Sequence, residues 1–262
     1  MPDLTYLDCA RCAEAAYSVD TPVGPNFTRA FYGDLASGFK GSYFSFATGT
    51  GVDIVIAFAG TEPETSEDLI ADIGFGAGAL GRVGTMMSAA GSAAQHFGSA
   101  GQIAGGAMRY LGAGASRLDR NGLLMLREQF RGAEELARQG MWYAQRMRGR
   151  VAVTGHSLGG GLASMIACHL GLRSVTCNAP ATSQLGFALG RAQVTNIVAV
   201  NDPINATTCL GNRIGETITL RTSRVLMDAH SISSTVADLS AGNYMAVGAS
   251  RVFSAGAGQR AA

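Results

Sequence analysis

The sequence predicts an α/β fold, a single large domain in which helices flank a mostly parallel sheet. Three observations point there. Short apolar runs alternate with helical stretches through the second half of the chain, as parallel βαβ units require. The run Val52–Phe58 is apolar at nearly every position, the pattern of a strand buried on both faces. A small-residue turn, Gly155-His156-Ser157-Leu158-Gly159, falls between such a run and a helical stretch.

Length and composition bound the rest. At 262 residues the chain is read as one domain over 1–262. Its 47% hydrophobic content supplies a packed core and excludes disorder as the main state. A formal net charge of +1, with no basic run interleaved with aromatics, excludes nucleic acid as the expected partner. The five cysteines are odd in number and few, which suits reduced thiols better than a disulfide framework. Cys9 and Cys12 form a CxxC on a predicted helix with no second pair, so no zinc site is expected. The first 17 residues lack a basic start followed by an apolar core. Synthesis in the cytoplasm without a Sec signal is therefore expected.

Residues 5–17 carry apolar side chains at helical spacing and predict an amphipathic helix. A loop containing Pro and Gly follows. Residues 41–47 and 52–58 are β-rich runs around Thr48-Gly49-Thr50-Gly51, a hairpin signal. Residues 121–147 predict a helix with acids and arginines on its polar face. Residues 150–155 predict a short strand, 159–170 a helix, and 173–177 and 194–200 two further strands separated by a helix over 185–191. No repeat of 20–50 residues is visible.

The chemistry centres on the GxSxG. A serine on a tight strand-to-helix turn takes a strained backbone conformation, and only small neighbours two residues to either side avoid a clash. The turn lifts the hydroxyl to the helix N-terminus, where the dipole favours developing negative charge. Ser157 is thus the candidate nucleophile. It needs a base, and the chain has four histidines. His156 flanks the serine and should point away from it across the turn. His169 lies twelve residues along the next helix, about 18 Å away at 1.5 Å per residue. His96 falls in a Gly/Ala-rich stretch. His230 remains, C-terminal to the rest, and gives the chain order serine, acid, histidine found in α/β-hydrolase triads. Asp202 follows the strand 194–200 at its C-terminal exit, where α/β sheets place site residues. Asp228 and Asp238 are its rivals.

Five motifs now stand in order: residues 54–61 (IVIAFAGT), 153–160 (VTGHSLGG), Asn178-Ala179-Pro180, Asn201-Asp202-Pro203 and His230-Ser231. Together they resemble the class 3 lipases over roughly residues 5–240. The resemblance implies an α/β-hydrolase-like fold and a triad of Ser157, Asp202 and His230. It also implies an oxyanion hole from the Thr61 backbone N–H and hydroxyl plus the Leu158 backbone N–H. Physical chemistry agrees, since Leu158 opens a helix and Thr61 ends a central strand. The family usually carries arginine where this chain has Ala59, and a tryptophan before the aspartate of the next helix that is absent from residues 67–72.

In that family the stretch after the oxyanion strand carries the lid. Here residues 74–114 hold 12 of the 36 glycines, and from Gly74 through Met108 the only formal charge is Arg82. Gly76-Ala77-Gly78-Ala79-Leu80-Gly81 matches a dinucleotide GxGxxG, but the next acid is Asp119, so no such cofactor is implied. Residues 83–108 are uncharged over a bilayer's length yet too rich in glycine for a transmembrane helix. A lid-like insertion over 74–114 that opens at a lipid surface is the expectation, with a packed Gly/Ala hairpin or membrane insertion as alternatives.

The sequence therefore predicts a carboxylic ester hydrolase acting on lipids, phospholipid or triacylglycerol, at a membrane surface, with neither metal nor organic cofactor. The nine arginines between Arg109 and Arg150 lean the choice towards phospholipid. A lipid hydrolase made in the cytoplasm faces its maker's own membrane. That leads to the expectation of a bacterial lipase effector, exported by a specialised secretion system and held in check by a cognate inhibitor protein. Two other readings compete: a catalytically idle lipase-like interaction scaffold, and a membrane-active toxin working through residues 74–114.

Overall fold

The structure is a computed structural model and describes residues 4–34, 39–48, 51–60, 120–185, 187–209, 211–242 and 252–253. The insertion expected at 74–114, His96 and Thr61 lie outside the described residues. A seven-stranded sheet runs in the order β1 (Phe27–Asp34), β2 (Lys40–Ala47), β3 (Val52–Phe58), β4 (Val151–His156), β5 (Arg173–Cys177), β6 (Gln193–Ala199) and β7 (Glu216–Leu220). The first three strands are antiparallel, and β3 through β7 are parallel. Among the described residues five α-helices accompany them: α1 (Tyr6–Ala15), α2 (Arg120–Arg146), α3 (Leu158–Leu170), α4 (Leu226–His230) and α5 (Ile232–Ser240).

Strand alternation sorts the core into two layers. Val55, Ala57, Ala152, Val175 and Cys177 face α1 and α5, in one apolar cluster with Cys9, Cys12 and Leu239. Ile54, Ile56, Phe58, Val151 and Val153 face α2 and α3, with Leu136 and Ile166. β3 and β4 contribute to both, which is why 54–58 and 151–153 read as unbroken apolar runs. Helix α1 begins at a capping box, in which the Thr5 backbone N–H donates to Asp8 Oδ2 at 3.0 Å and the Asp8 N–H donates back to Thr5 Oγ1 at 3.2 Å. Among the described residues no helix is long and apolar enough to cross a membrane.

The structure departs from the sequence reading in three places. The expected loop before residue 40 contains β1, whose register slips between Arg29 and Phe31, so the apolar alternation that marks a strand is broken there. The helix expected over 185–191 is instead a single 3-10 turn, Ser183–Leu185, after which Gly190 takes a left-handed φ of 51°. Strand β7 and helices α4 and α5 were not foreseen. β7 is a five-residue edge strand with its first two positions exposed, too short to show a period.

The far end of the chain is tied back beneath the sheet. The Val252 N–H donates to the Leu4 carbonyl at 2.8 Å, and Arg173 Nη1 donates to the Val252 carbonyl at 2.9 Å. Phe253 is buried against two guanidinium groups, with Arg150 at 4.2 Å and Arg173 at 5.6 Å from its ring centroid. Arg150 is itself held by the buried Asp53, its Nη2 donating to Oδ2 at 2.6 Å. Phe253→Ala should therefore cost about 3 kcal/mol of stability through the cavity and the lost ring contacts, seen as a lower urea midpoint with an unchanged m-value. An unchanged midpoint would mean that the tie carries no stability.

Candidate active site

The loops at the C-terminal ends of the parallel strands converge on Ser157. β4 ends at His156, and Ser157 follows with φ 55° and ψ −128°, a conformation that side chains rarely adopt. Its N–H extends the β4–β5 ladder to the Cys177 carbonyl at 3.0 Å, and its carbonyl accepts from Gly161 N–H at 3.1 Å, the first turn of α3. So sharp a reversal brings backbone onto backbone. A Cβ at Gly155 would overlap the Gly159 carbonyl, and one at Gly159 would overlap that of Phe58. Leu158 is the first helical residue, so its backbone N–H has no acceptor within the helix. The exit of β3 lies alongside: a Cβ at Gly60 would stand 2.8 Å from Ser157 Cβ. Thr61, the next residue, is not described.

Asp202 sits just beyond β6, 3% exposed, with its Oδ1 accepting the Ile204 N–H at 2.8 Å. His230 ends α4, also 3% exposed, and its Nδ1 lies 3.0 Å from both Asp202 carboxylate oxygens. A carboxylate only accepts, so Nδ1 carries a proton, and in the neutral ring Nε2 keeps its lone pair. That Nε2 is buried without a hydrogen-bond partner, and so is Ser157 Oγ. The rival acids are engaged elsewhere. Asp228 meets Arg224 at 3.1 Å and Ser234 at 2.9 Å, and Asp238 lies 4.0 Å from the same arginine. His169 reaches Glu134 at 3.2 Å on the helix surface.

His156 does more than flank the serine. Its Nε2 lies 2.6 Å from the His230 carbonyl, which can only accept, so Nε2 donates and Nδ1 receives the Tyr17 hydroxyl proton at 2.7 Å. The Tyr17 oxygen in turn accepts the Gly60 N–H at 3.0 Å. One chain of hydrogen bonds thus runs from the β3 exit to the backbone of His230. The two imidazoles stand 4.7 Å apart between centroids. Burial, and then the nearness of His230, hold the His156 pKa well below the usual histidine range. His156 is a neutral, fixed donor. The unfolded chain protonates this ring near pH 6.5 and the folded chain does not, so stability should fall as pH drops below about 6.5, by up to about 1.4 kcal/mol per pH unit. Thermal melts between pH 7 and 5 check this: His156→Gln should flatten the slope, and an identical slope would assign the loss to other groups.

The described cysteine thiols Cys9, Cys12, Cys168 and Cys177 are free. Burial pushes the Cys177 thiol up to about 12, and those of Cys9 and Cys12 well above their ordinary value. They are poor nucleophiles and poor metal ligands as they stand. Among the described residues no group of three His, Cys, Asp or Glu is placed to hold a metal ion. The arginines of α2 are partly occupied, Arg138 paired with Glu134 at 2.7 Å and Arg146 stacked on Trp142 at 4.6 Å.

A seven-stranded, mostly parallel sheet with helices on both faces and a strained serine between strand and helix defines an α/β hydrolase. The chain belongs to the class 3 lipases: the family Lipase (class 3) matches residues 55–226, two thirds of its length. Ser157 and Asp202 fall within that match, and His230 lies four residues beyond it. No curated protein matches the chain. Membership makes it a lipid ester hydrolase in general. Tyr17, His156 and Asn178 were not singled out as site residues from sequence, although His156 and Asn178 each lay in one of the five motifs.

Proposed function

We propose that this lipid ester hydrolase works through an acyl-enzyme on Ser157. Ser157 Oγ attacks the ester carbonyl carbon, and His230 Nε2 takes its proton and delivers it to the leaving alcohol. Asp202 holds the imidazole in the tautomer that leaves Nε2 free to accept. The Leu158 N–H, joined by Thr61 from the β3 exit, receives the oxyanion. Water, deprotonated by His230, then releases the fatty acid. One observation carries the reading: Ser157 Oγ and His230 Nε2 are both buried and unmated, while the other nitrogen of His230 is held by a buried carboxylate.

Phospholipid and triacylglycerol are the two substrate classes to separate. Mass spectrometry of fatty acid released from phosphatidylglycerol vesicles and from a triacylglycerol emulsion does so. Release from at least one by the wild type, and none by Ser157→Ala, is expected; equal release by both proteins would sink the reading. We also read the enzyme as an exported bacterial effector restrained by a cognate inhibitor, a reading supported by the composition of residues 83–108, which carry no formal charge. That reading demands toxicity, in the cytoplasm or the periplasm, that disappears with Ser157→Ala.

A further inference from the structure

Asn178 follows β5 directly and adopts φ 47° with its side chain wholly buried. Left-handed backbone is tolerated by Asn better than by most residues, which explains the backbone but not the side chain. The side chain has its own connections. Its Oδ1 accepts the Ala199 N–H at 2.9 Å, at the last residue of β6 and three positions before Asp202. Its Nδ2 lies 3.0 Å from the carbonyls of both Ala229 and His230, and 3.2 Å from Thr235 Oγ1. The backbone N–H of Asn178 adds a bond to Ile197 O at 2.8 Å. The amide orientation follows from these partners: a flip would set its oxygen against two carbonyl oxygens.

The demand for such a residue comes from α4. His230 is the last residue of a five-residue helix, so the carbonyls of Ala229 and His230 have no acceptor role within it and would be orphaned in the interior. Asn178 satisfies both, and His156 supplies a second donor to His230 O. Only a side-chain amide of this length offers one acceptor towards β6 and two N–H donors towards α4.

We propose that Asn178 is a positioning residue: by tying the backbone of His230 to the strand that presents Asp202, it sets the His230–Asp202 contact. The proposal rests on the triad reading above, and Asn178 touches neither substrate nor reacting atom. A base displaced by a fraction of an ångström loses its alignment, and misplacement of about 1 Å costs on the order of 100-fold in rate.

Asn178→Gly is the discriminating variant, because glycine accepts the positive φ and removes only the side-chain bonds. With the variant confirmed as folded by circular dichroism, kcat should fall about 100-fold with KM unchanged. The same substitution in an Asp202→Asn background should cost far less, since the productive tautomer that the contact fixes is already lost. In proton NMR without substrate, the downfield signal of His230 Nδ1–H on Asp202 should broaden or vanish in Asn178→Gly. Wild-type kcat in Asn178→Gly, or a full 100-fold loss repeated in the Asp202→Asn background, overturns the proposal. Full activity in Ser157→Ala would instead overturn the triad reading, while the NMR signal still reports on the clamp. If Asn178→Gly fails to fold, Asn178→Asp keeps the acceptor towards Ala199 and loses both donors, and the same comparisons apply.

Discussion

Ser157→Ala and His230→Ala should each lower kcat on an ester substrate by about 10⁴-fold or more, and the double variant should be little worse than either. The two act as one unit: without the hydroxyl there is nothing for the imidazole to deprotonate, and without the imidazole the hydroxyl stays protonated. Asp202→Asn should lose somewhat less, because the ring can still occupy its place with the wrong nitrogen protonated. Initial rates across the four variants check the order. A His230→Ala enzyme with near-wild-type turnover would place the base elsewhere.

Gly159→Ala should cost about 3 kcal/mol and most of the activity together. The added Cβ would lie within the carbonyl oxygen of Phe58 and against that of Ala59, backbone that two sheet neighbours already hold in place. Relief requires β3 or the elbow to move, and the elbow carries Ser157. Gly161→Ala is the internal control. There the new carbon meets the Pro180 ring at 3.3 Å and the Thr182 methyl at 3.5 Å, side-chain contacts that can yield, and alanine favours the helix by up to about 1 kcal/mol. Urea unfolding of the two variants decides it; equal midpoints would show that the close approach at Gly159 is not a constraint.

What could be read from the sequence was what short range encodes. The apolar runs of β3 and β4, the spacing of α3 and the small residues around Ser157 each express a rule that operates within a few residues. The place of Asp202 just beyond a strand was legible because a strand exit is a local pattern. β1 was hidden because its bulge breaks the period of two. Tyr17 and Asn178 carried no such mark. Tyr17 meets His156 across 139 residues and Asn178 meets Ala229 across 51, so their partners exist only once the sheet has formed. His156 was read as turning away from the nucleophile, and its bond to the His230 carbonyl spans 74 residues.

The seven strands lie side by side in the order in which they occur in the chain, so every neighbour is close in sequence except at one seam. Between β3 and β4 run 92 residues, of which α2 uses 27. A parallel pair needs a crossover of only about a dozen residues. Closing a loop twice as long costs only about 0.6 kcal/mol more, so the sheet is almost indifferent to how much chain is spent there. Ser157 and Gly60 stand on opposite banks of that seam. A lineage of such enzymes can therefore lengthen, shorten or replace this one connector, and with it whatever approaches the nucleophile, while the architecture that aims the hydroxyl is inherited intact.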